Sequence, residues 1–253
     1  MDRGSPVTAS HDWPIRHAPP VLEPSEIHIW RAKVPDEARL PVSWPELLTT
    51  EEQARVSRQH FAVDARRSLT SRACLRLLLG HYLGLPPLRI VLGTTAEGKP
   101  TLVGPVGPDS IEFNLSHSAE WIVVGFSRGS PLGIDIEHCR DLDFDELVAG
   151  FFSPIERKAW TAVPSIGRRE AFFAAWTRKE AYLKALGVGF SKPLDSFAVT
   201  FEAGAGGKLV WCSDNPHAPQ NWRIVSINPA FSYTGALALD SSIHRLKTFT
   251  FAY

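Results

Sequence analysis

Two acidic residues of one short β-type segment are the first candidates for chemistry. In GIDIE (133–137), side chains alternate between the two faces of a strand, so Asp135 and Glu137 point the same way and the isoleucines point into the core. Neighbouring carboxylates repel each other unless a cation lies between them, and Mg²⁺ binds one or two carboxylates together with phosphate oxygens and water. A solvated strand face would show the same pattern, so the pair alone leaves both readings open.

A second set of candidates lies on one ridge of a helix. Trp176, Glu180 and Lys184 recur at every fourth position, and Lys179 flanks them. Glutamate and lysine at this spacing also form an ordinary surface pair, and the tryptophan could belong to the core. Together with the acidic pair, this set would supply a third carboxylate for a metal, from Glu180, and a cation for a phosphate, from Lys184.

Other residues could bind oxyanions. His117 lies between Ser116 and Ser118, whose hydroxyls suit an oxyanion, although a histidine at the end of a strand often makes ordinary structural contacts. Residues 55–76 hold a local excess of five positive charges, and arginine's planar fork matches phosphate. The arginines, set against the single acid Asp64, are Arg55, Arg58, Arg66, Arg67, Arg72 and Arg76.

Helix signals dominate the first part of the chain. Thr49 and Glu52 form a capping-box pattern that predicts a helix over about 50–62. A longer helix is predicted from about 64 to 83, and Gly84 should end it. Short β-type runs follow these helices, so the arginine-rich segment is expected on helices that precede a sheet.

Residues 111–137 read as three antiparallel strands joined by tight turns. In such a meander the first and third strands run the same way, and their carboxyl ends share one edge of the sheet. His117 and Glu137 are therefore expected to lie close together.

The second part repeats the order of helices and strands. Ser153, Pro154 and Glu156 predict the start of a helix, and a long helix over 168–186 should end at Gly187. The β-rich runs of the tail read as a second antiparallel sheet. The sequence thus predicts an α+β protein of two pseudo-symmetric halves, each an antiparallel sheet packed with a long helix, with the active site in the cleft between them.

The bulk composition bounds the remaining choices. The 253 residues and 44% hydrophobic content supply an ample core, and 27 basic residues balance 27 acidic ones. This balance argues against nucleic acid and an anionic membrane as partners. Three cysteines without metal spacing fit reduced thiols, and no apolar leader is evident, so we expect a cytoplasmic protein. We also expect a monomer, with residues 1–24 as a loosely ordered lead-in, 25–128 as the first half and 129–253 as the second.

Four motifs in chain order resemble the 4′-phosphopantetheinyl transferases of the Sfp type. They are GKP (98–100), FNLSHS (113–118), GIDIE (133–137) and WTRKEAYLKALG (176–187). The resemblance covers the chain from about residue 25 onward. It implies Mg²⁺-dependent transfer of the phosphopantetheine arm of coenzyme A to a serine of an acyl or peptidyl carrier protein, with release of adenosine 3′,5′-bisphosphate. Such enzymes serve polyketide, non-ribosomal peptide and fatty-acid synthesis.

The resemblance also implies roles for individual residues. The metal's carboxylates would be those of Asp135, Glu137 and Glu180. Glu180, or a water beside it, would take the serine proton, and Lys184 would neutralise or protonate the leaving phosphate. The second half would thus carry the metal and the catalytic helix, and the first half would bind coenzyme A phosphates. The coenzyme contacts would come from Arg55, Arg67, Ser68, Lys99, Ser116, His117 and Lys179.

Some expectations depart from the family or extend it. The family often has a basic residue where this chain has Glu52. A metal and a lysine nearby should keep the pKa of Glu180 low and make it a weak base. Phe151, Phe152 and Trp160 could contact the carrier protein, although each is equally compatible with the core.

Two other functions use the same residues. A metal-dependent phosphoesterase or nuclease could employ the three carboxylates, although a nuclease should show a basic track across its surface. A non-catalytic module that binds coenzyme A or a carrier protein could keep the fold without the activity.

Overall fold

The computed structural model describes residues 13–104, 107, 109–202 and 206–253. The α-helices in these ranges are α1 (Thr50–Ser57), α2 (Ala62–Leu83), α3 (Phe144–Phe151), α4 (Pro154–Trp160), α5 (Arg168–Leu186) and α6 (Ala218–Asn221). The strands are β1 (Ile15–Arg16), β2 (Glu26–Lys33), β3 (Leu92–Thr94), β4 (Pro100–Leu102), β5 (Ile111–Ser118), β6 (Trp121–Arg128), β7 (Leu132–His138), β8 (Phe197–Val199), β9 (Leu209–Cys212), β10 (Trp222–Ile227), β11 (Tyr233–Asp240) and β12 (Arg245–Phe251). Short 3₁₀ turns connect several of them.

The first sheet has the strand order β1-β12-β2-β6-β5. Strands β1, β12 and β2 run parallel, whereas β2, β6 and β5 pair antiparallel. Helix α2 covers one face of this sheet, and Leu75 and Leu79 pack there against Trp30 and Val124. The helix ends at Gly84, whose φ of 64° lies in the left-handed region that glycine adopts without strain.

The second sheet has the order β10-β11-β7 and is antiparallel throughout. Helix α5 packs on its outer face and ends at Gly187, again with positive φ. The approach is close because Gly133 of β7 has no side chain: a Cβ there would lie 2.0 Å from the carbonyl oxygen of Ala181. Helix α5 therefore rests directly on the backbone of the strand that carries Asp135 and Glu137.

The two sheets pack against each other through their inner faces. Ile29 and Val123 of the first sheet share a buried cluster with Ile134, Ile136 and Leu237 of the second. The resulting layers are helix α2, first sheet, second sheet and helix α5. This arrangement confirms the predicted α+β fold, in which a long helix packed on a sheet occurs twice.

The predicted three-stranded meander is wrong at its third strand. Strand β7 does not continue the first sheet but pairs with β11 in the second. Leu132 lies over Gly125 of β6, where a Cβ would come within 2.6 Å of the leucine side chain, so β7 crosses the face of β6 instead of extending its edge. Strands β5 and β7 nevertheless lie side by side, where the edges of the two sheets meet.

The tail does not form one sheet either. Strand β12 joins the first sheet and runs parallel to β2, while β8 and β9 form a separate pair. Alternation of apolar residues identified these strands but carries no information about which edge they join. The first sheet thus contains β12, the last of the strands given above, between β1 and β2.

The predicted lead-in is only partly covered by the structure. Residues 1–12 lie outside the described residues. Residues 13–24 are not loosely ordered, because Trp13 and Leu22 are buried and β1 pairs with β12. The order of this segment could not be predicted from the sequence, because its buried apolar side chains are isolated and show no periodicity. No helix in the described ranges is long and apolar enough to cross a membrane.

Candidate active site

The acidic pair lies where the edge of the first sheet meets the edge of the second. As the alternation predicts, Ile134 and Ile136 are in the core and the two acids face the other side of β7. Asp135 Oδ1 accepts a hydrogen bond from Ser116 Oγ at 2.8 Å. Glu137 Oε2 accepts one from Ser118 Oγ at 2.9 Å. The serines of β5 therefore contact the carboxylates of β7.

Lys184 brings helix α5 into this site. Its Nζ lies 2.6 Å from Asp135 Oδ1 and 3.2 Å from Ser116 Oγ. The ammonium thus pairs with the strand carboxylate, and not with Glu180 as the helical spacing alone suggested. Trp176 lies one turn before Glu180 and stacks on Phe172, with 5.9 Å between the ring centroids. This contact fits the interpretation of Trp176 as a core residue.

Glu180 is the carboxylate of this site whose pKa is raised most. Burial raises its pKa to about 7, and the negative charges of Asp135 and Glu137 add to the increase while Lys184 opposes it. Its Oε1 atom is buried and has no hydrogen-bond partner in the described structure. This value applies to the protein without a metal, so the low pKa expected for Glu180 beside a bound metal and a lysine stays a prediction.

The carboxylates have the donor chemistry that a hard cation requires. Asp135 Oδ2 is also buried without a hydrogen-bond partner within the described ranges. Burial and the nearby charge of Asp135 raise the pKa of Glu137, so additional positive charge would stabilise the ionised forms. No group of three or more His, Cys, Asp or Glu side chains in the described residues is already arranged around a metal position. Mg²⁺ does not need such a group, because one or two carboxylates with water and phosphate suffice.

A pocket of about 240 Å³ adjoins the site on the side of helix α2. Ser68, Ser71 and Arg72 of the helix and His117 of β5 contribute to its wall. Part of the His117 ring is open to solvent, but desolvation in the pocket lowers its pKa, and the charges of Arg67 and Lys184 lower it further. Three hydrogen-bonding groups and a guanidinium suit an anionic ligand.

A larger pocket of about 500 Å³ lies on the other side of Arg72. Its wall includes Arg55, Arg76 and Glu52. Glu52 closes the predicted capping box of α1 and pairs with Arg76 at 2.8 Å, so this departure from the family pattern has a structural role. Arg72 lines both pockets, a position that the sequence marked only as one of six arginines.

Two residues proposed for coenzyme binding already have protein contacts. Arg67 Nε donates to the carbonyl oxygen of Ala119 at 3.0 Å, and its Nη1 pairs with Asp64 at 3.0 Å. Lys99 Nζ donates to the carbonyl oxygen of Lys184 at 2.7 Å. Lys99 thereby joins the GKP turn to the carboxyl end of α5, next to the site.

The coenzyme-binding role predicted for Lys179 is contradicted by its surroundings. Its side chain is fully buried, and Nζ donates to both carboxylate oxygens of Glu156 at 2.7 Å and to the carbonyl oxygen of Phe197 at 2.8 Å. All donors of the ammonium are therefore satisfied inside the protein. Lys179 therefore lies in the core, although it is next to Glu180 in the sequence.

The three residues considered as carrier-protein contacts differ in their burial. Phe152 and Trp160 are buried in the core around α5. Phe151 is 45% exposed and is the member of the three that a partner could reach.

Two family models and several curated proteins match the sequence of this chain. Residues 131–237 match the family model of the 4′-phosphopantetheinyl transferase superfamily, and residues 35–128 match that of the 4′-phosphopantetheinyl transferase N-terminal region. The chain is 33% identical to HetI of Nostoc sp. over 183 residues, which span 72% of this chain and 77% of HetI. It is 34% identical to psf-1 of Bacillus pumilus over 181 residues, covering 72% of this chain and 75% of psf-1. It is 29% identical to Sfp of Bacillus subtilis over 201 residues, covering 71% of this chain and 88% of Sfp.

Proposed function

The chain belongs to the 4′-phosphopantetheinyl transferase superfamily, and on that premise we propose the details of its reaction. It transfers the 4′-phosphopantetheine arm of coenzyme A to a serine of an acyl or peptidyl carrier protein. The reaction depends on Mg²⁺ and releases adenosine 3′,5′-bisphosphate, and the enzyme acts as a cytoplasmic monomer. The observation that supports this most is the meeting of Asp135, Glu180 and Lys184 at one end of the β5–β7 junction, next to the pockets that share Arg72.

Asp135, Glu137 and Glu180 are the residues that would hold the metal. The raised pKa values of Glu137 and Glu180 and the unpartnered oxygens of Asp135 and Glu180 favour a cation at this position. When bound, Mg²⁺ would supply positive charge for the pyrophosphate oxygens of coenzyme A.

Glu180 and Lys184 have the properties that the group transfer requires. In the proposed reaction the serine oxygen forms a bond to the phosphorus next to the pantetheine arm, and the bond from that phosphorus to the bridging oxygen breaks. Glu180, or a water beside it, accepts the serine proton. The bridging oxygen leaves with the bonding electrons as part of adenosine 3′,5′-bisphosphate, and the ammonium of Lys184 stabilises its charge.

Four of the predicted contacts are assigned to the coenzyme: Arg55, Arg67, Ser68 and His117. His117, Ser68 and Arg67 stand at or beside the smaller pocket, and Arg55 at the larger one. We assign the phosphates of coenzyme A to this stretch. Lys99, joined to α5 at the carbonyl of Lys184, lies close enough to Lys184 for the two charges to interact.

Intact-mass spectrometry of an apo carrier protein tests the proposal. Incubation with the enzyme, coenzyme A and Mg²⁺ should add one phosphopantetheine group, and a chelator should abolish the gain. Absence of the gain across acyl and peptidyl carriers would overturn the proposal. Phosphate release without a carrier would then favour a phosphoesterase, and coenzyme binding without turnover would favour a non-catalytic module.

A further inference from the structure

A row of polar side chains on β5 fills the space where the two sheet edges meet. Asn114, Ser116 and Ser118 occupy alternate positions, so they project from one face of the strand. Each accepts a hydrogen bond from a backbone N–H of β7. The donors are the amides of Ile134 at 2.8 Å, Ile136 at 3.4 Å and His138 at 3.0 Å. Side chains thus take the place of the backbone hydrogen bonds that would join two strands of one sheet.

Each of the two serines donates its hydroxyl proton to a carboxylate, and Ser116 Oγ also accepts from Lys184 Nζ at 3.2 Å. A serine hydroxyl has one proton to donate. Ser116 directs it to Asp135 Oδ1, and Ser118 directs it to Glu137 Oε2. Both hydroxyl protons are therefore engaged inside the protein, and neither is left to donate to a coenzyme phosphate.

Each serine holds one oxygen of its carboxylate and leaves the other available. Asp135 Oδ1 receives Ser116 and Lys184, whereas Asp135 Oδ2 is buried without a partner in the part of the chain that the structure describes. Groups that hydrogen-bond to a ligating carboxylate fix its orientation toward the cation. The spacing of the row matches that of the acids, because both follow the two-residue period of a strand.

Resting on the proposed function, we propose that Ser116 and Ser118 are positioning residues that orient Asp135 and Glu137 toward the divalent cation. Asn114 fixes the strand that carries both acids by accepting the Ile134 amide. The serines act on the metal through the carboxylates and not on the coenzyme directly. This differs from the phosphate contact that the resemblance implies for Ser116.

The test measures metal affinity without turnover. Binding of Mn²⁺, as a paramagnetic substitute for Mg²⁺, is followed by electron paramagnetic resonance in the wild type, Ser118→Ala, Ser116→Ala and Ser118→Thr. Loss of an outer-shell partner weakens metal binding about 10- to 100-fold, so each alanine variant should lose at least about tenfold affinity. Threonine keeps the hydroxyl and should restore most of it.

Ser127→Ala is the matched control. Ser127 is fully buried on the neighbouring strand β6, but its hydroxyl donates to the carbonyl oxygen of Ser130 and touches no carboxylate. Its Mn²⁺ affinity should equal that of the wild type. Thermal melts followed by circular dichroism establish that each variant is folded, and the more exposed Ser118 decides the question if Ser116→Ala unfolds.

Two results would overturn the inference. Unchanged Mn²⁺ affinity in folded Ser118→Ala would show that the row is structural only. A higher KM for coenzyme A at saturating metal, with Mn²⁺ affinity intact, would make the serines direct coenzyme contacts. Both differ from failure of the proposed function, which would appear as absence of carrier modification by the wild type.

Discussion

At the scale of single residues, the candidate site is a partly buried group of acidic side chains with one lysine. Three carboxylates face one ammonium near the β5–β7 junction, and the Lys184 ammonium is drawn to Asp135 at 2.6 Å. Glu180 lacks such a contact, and burial raises its pKa to about 7. Without a metal, Glu180 is therefore the carboxylate of this site that holds a proton most readily.

Replacing Glu180 with glutamine should lower kcat by roughly 100-fold or more, the size of effect that follows loss of one proton-transfer group. The amide keeps the shape of the side chain but can neither accept the serine proton nor contribute negative charge. Steady-state assays of carrier modification measure the change. Glu170→Gln, in the first turn of α5 with a half-exposed side chain, is the control and should retain the wild-type rate. A wild-type kcat for the Glu180 variant would rule out its catalytic role.

At the scale of elements, the position of α5 on β7 determines where Glu180 and Lys184 lie. Gly133 allows this contact, because any side chain there would collide with the backbone of Ala181 and Ala185. On the opposite side, Lys179 binds Glu156, whose carboxylate also accepts from the backbone of Ser153 and Val199. The helix is thus held from both sides.

The Gly133→Ala substitution should destabilise the fold by about 3 kcal/mol or more, because overpacking of this severity forces the helix away from the strand. Urea unfolding measures the change. Gly150→Ala is the matched control: Gly150 lies in α3, a Cβ there would meet no heavy atom within 4 Å, and the change should stay within about 1 kcal/mol. Equal stability of the two variants would contradict the close packing of α5.

The buried pair gives a second prediction for α5. Lys179→Met leaves the Glu156 carboxylate buried without its cation and should cost about 3–5 kcal/mol of unfolding free energy. The double change Lys179→Met with Glu156→Gln should recover part of the loss. Lys158→Met, an exposed change on α4, should have little effect. Wild-type stability of Lys179→Met together with a raised KM for coenzyme A would support the coenzyme role that the sequence suggested.

Features that depend only on residues close together in the sequence, such as helix ends, were predicted correctly. The capping boxes at Thr49 and Ser153 and the terminal glycines Gly84 and Gly187 define helix ends through neighbouring residues, and all four are present in the structure. Burial of Lys179 could not be read in the same way, since its partner Glu156 lies on another element. Helix α3 was missed, although Asp143 caps it by accepting from the Glu146 amide.

At the scale of the whole molecule, the chain closes on itself through β12. Lys247 of this strand pairs at 2.8 Å with Glu26, which in turn binds His28 on β2. The other ring nitrogen of His28 is 2.7 Å from the hydroxyl of Tyr82 on α2. Alternating apolar residues predicted β12 as a strand, but its place beside β2 depends on contacts across more than 200 residues of sequence, which local patterns do not encode.

This buried network predicts a specific dependence of stability on pH. Desolvation lowers the pKa of His28 below 6.5, and the charge of Lys247 lowers it further, while Glu26 opposes the shift. The unfolded chain then binds a proton more readily than the folded one, so the contribution of His28 is complete above pH 6.5 and is lost as the pH falls through its folded pKa. The pKa of Glu26 is also lowered, from 4.5, so its own contribution is lost only at more acidic pH.

Replacing His28 with glutamine should therefore flatten the fall in unfolding free energy between about pH 7 and about pH 5. Urea titrations of the wild type and the variant across this range measure the difference. Glu180, whose raised pKa acts in the opposite direction, is present in both proteins and cancels from the comparison. His60→Gln, which removes an exposed imidazole outside the network, is the control and should follow the wild type. Parallel curves for the wild type and His28→Gln would show that protonation of this histidine does not limit the attachment of β12 at acidic pH.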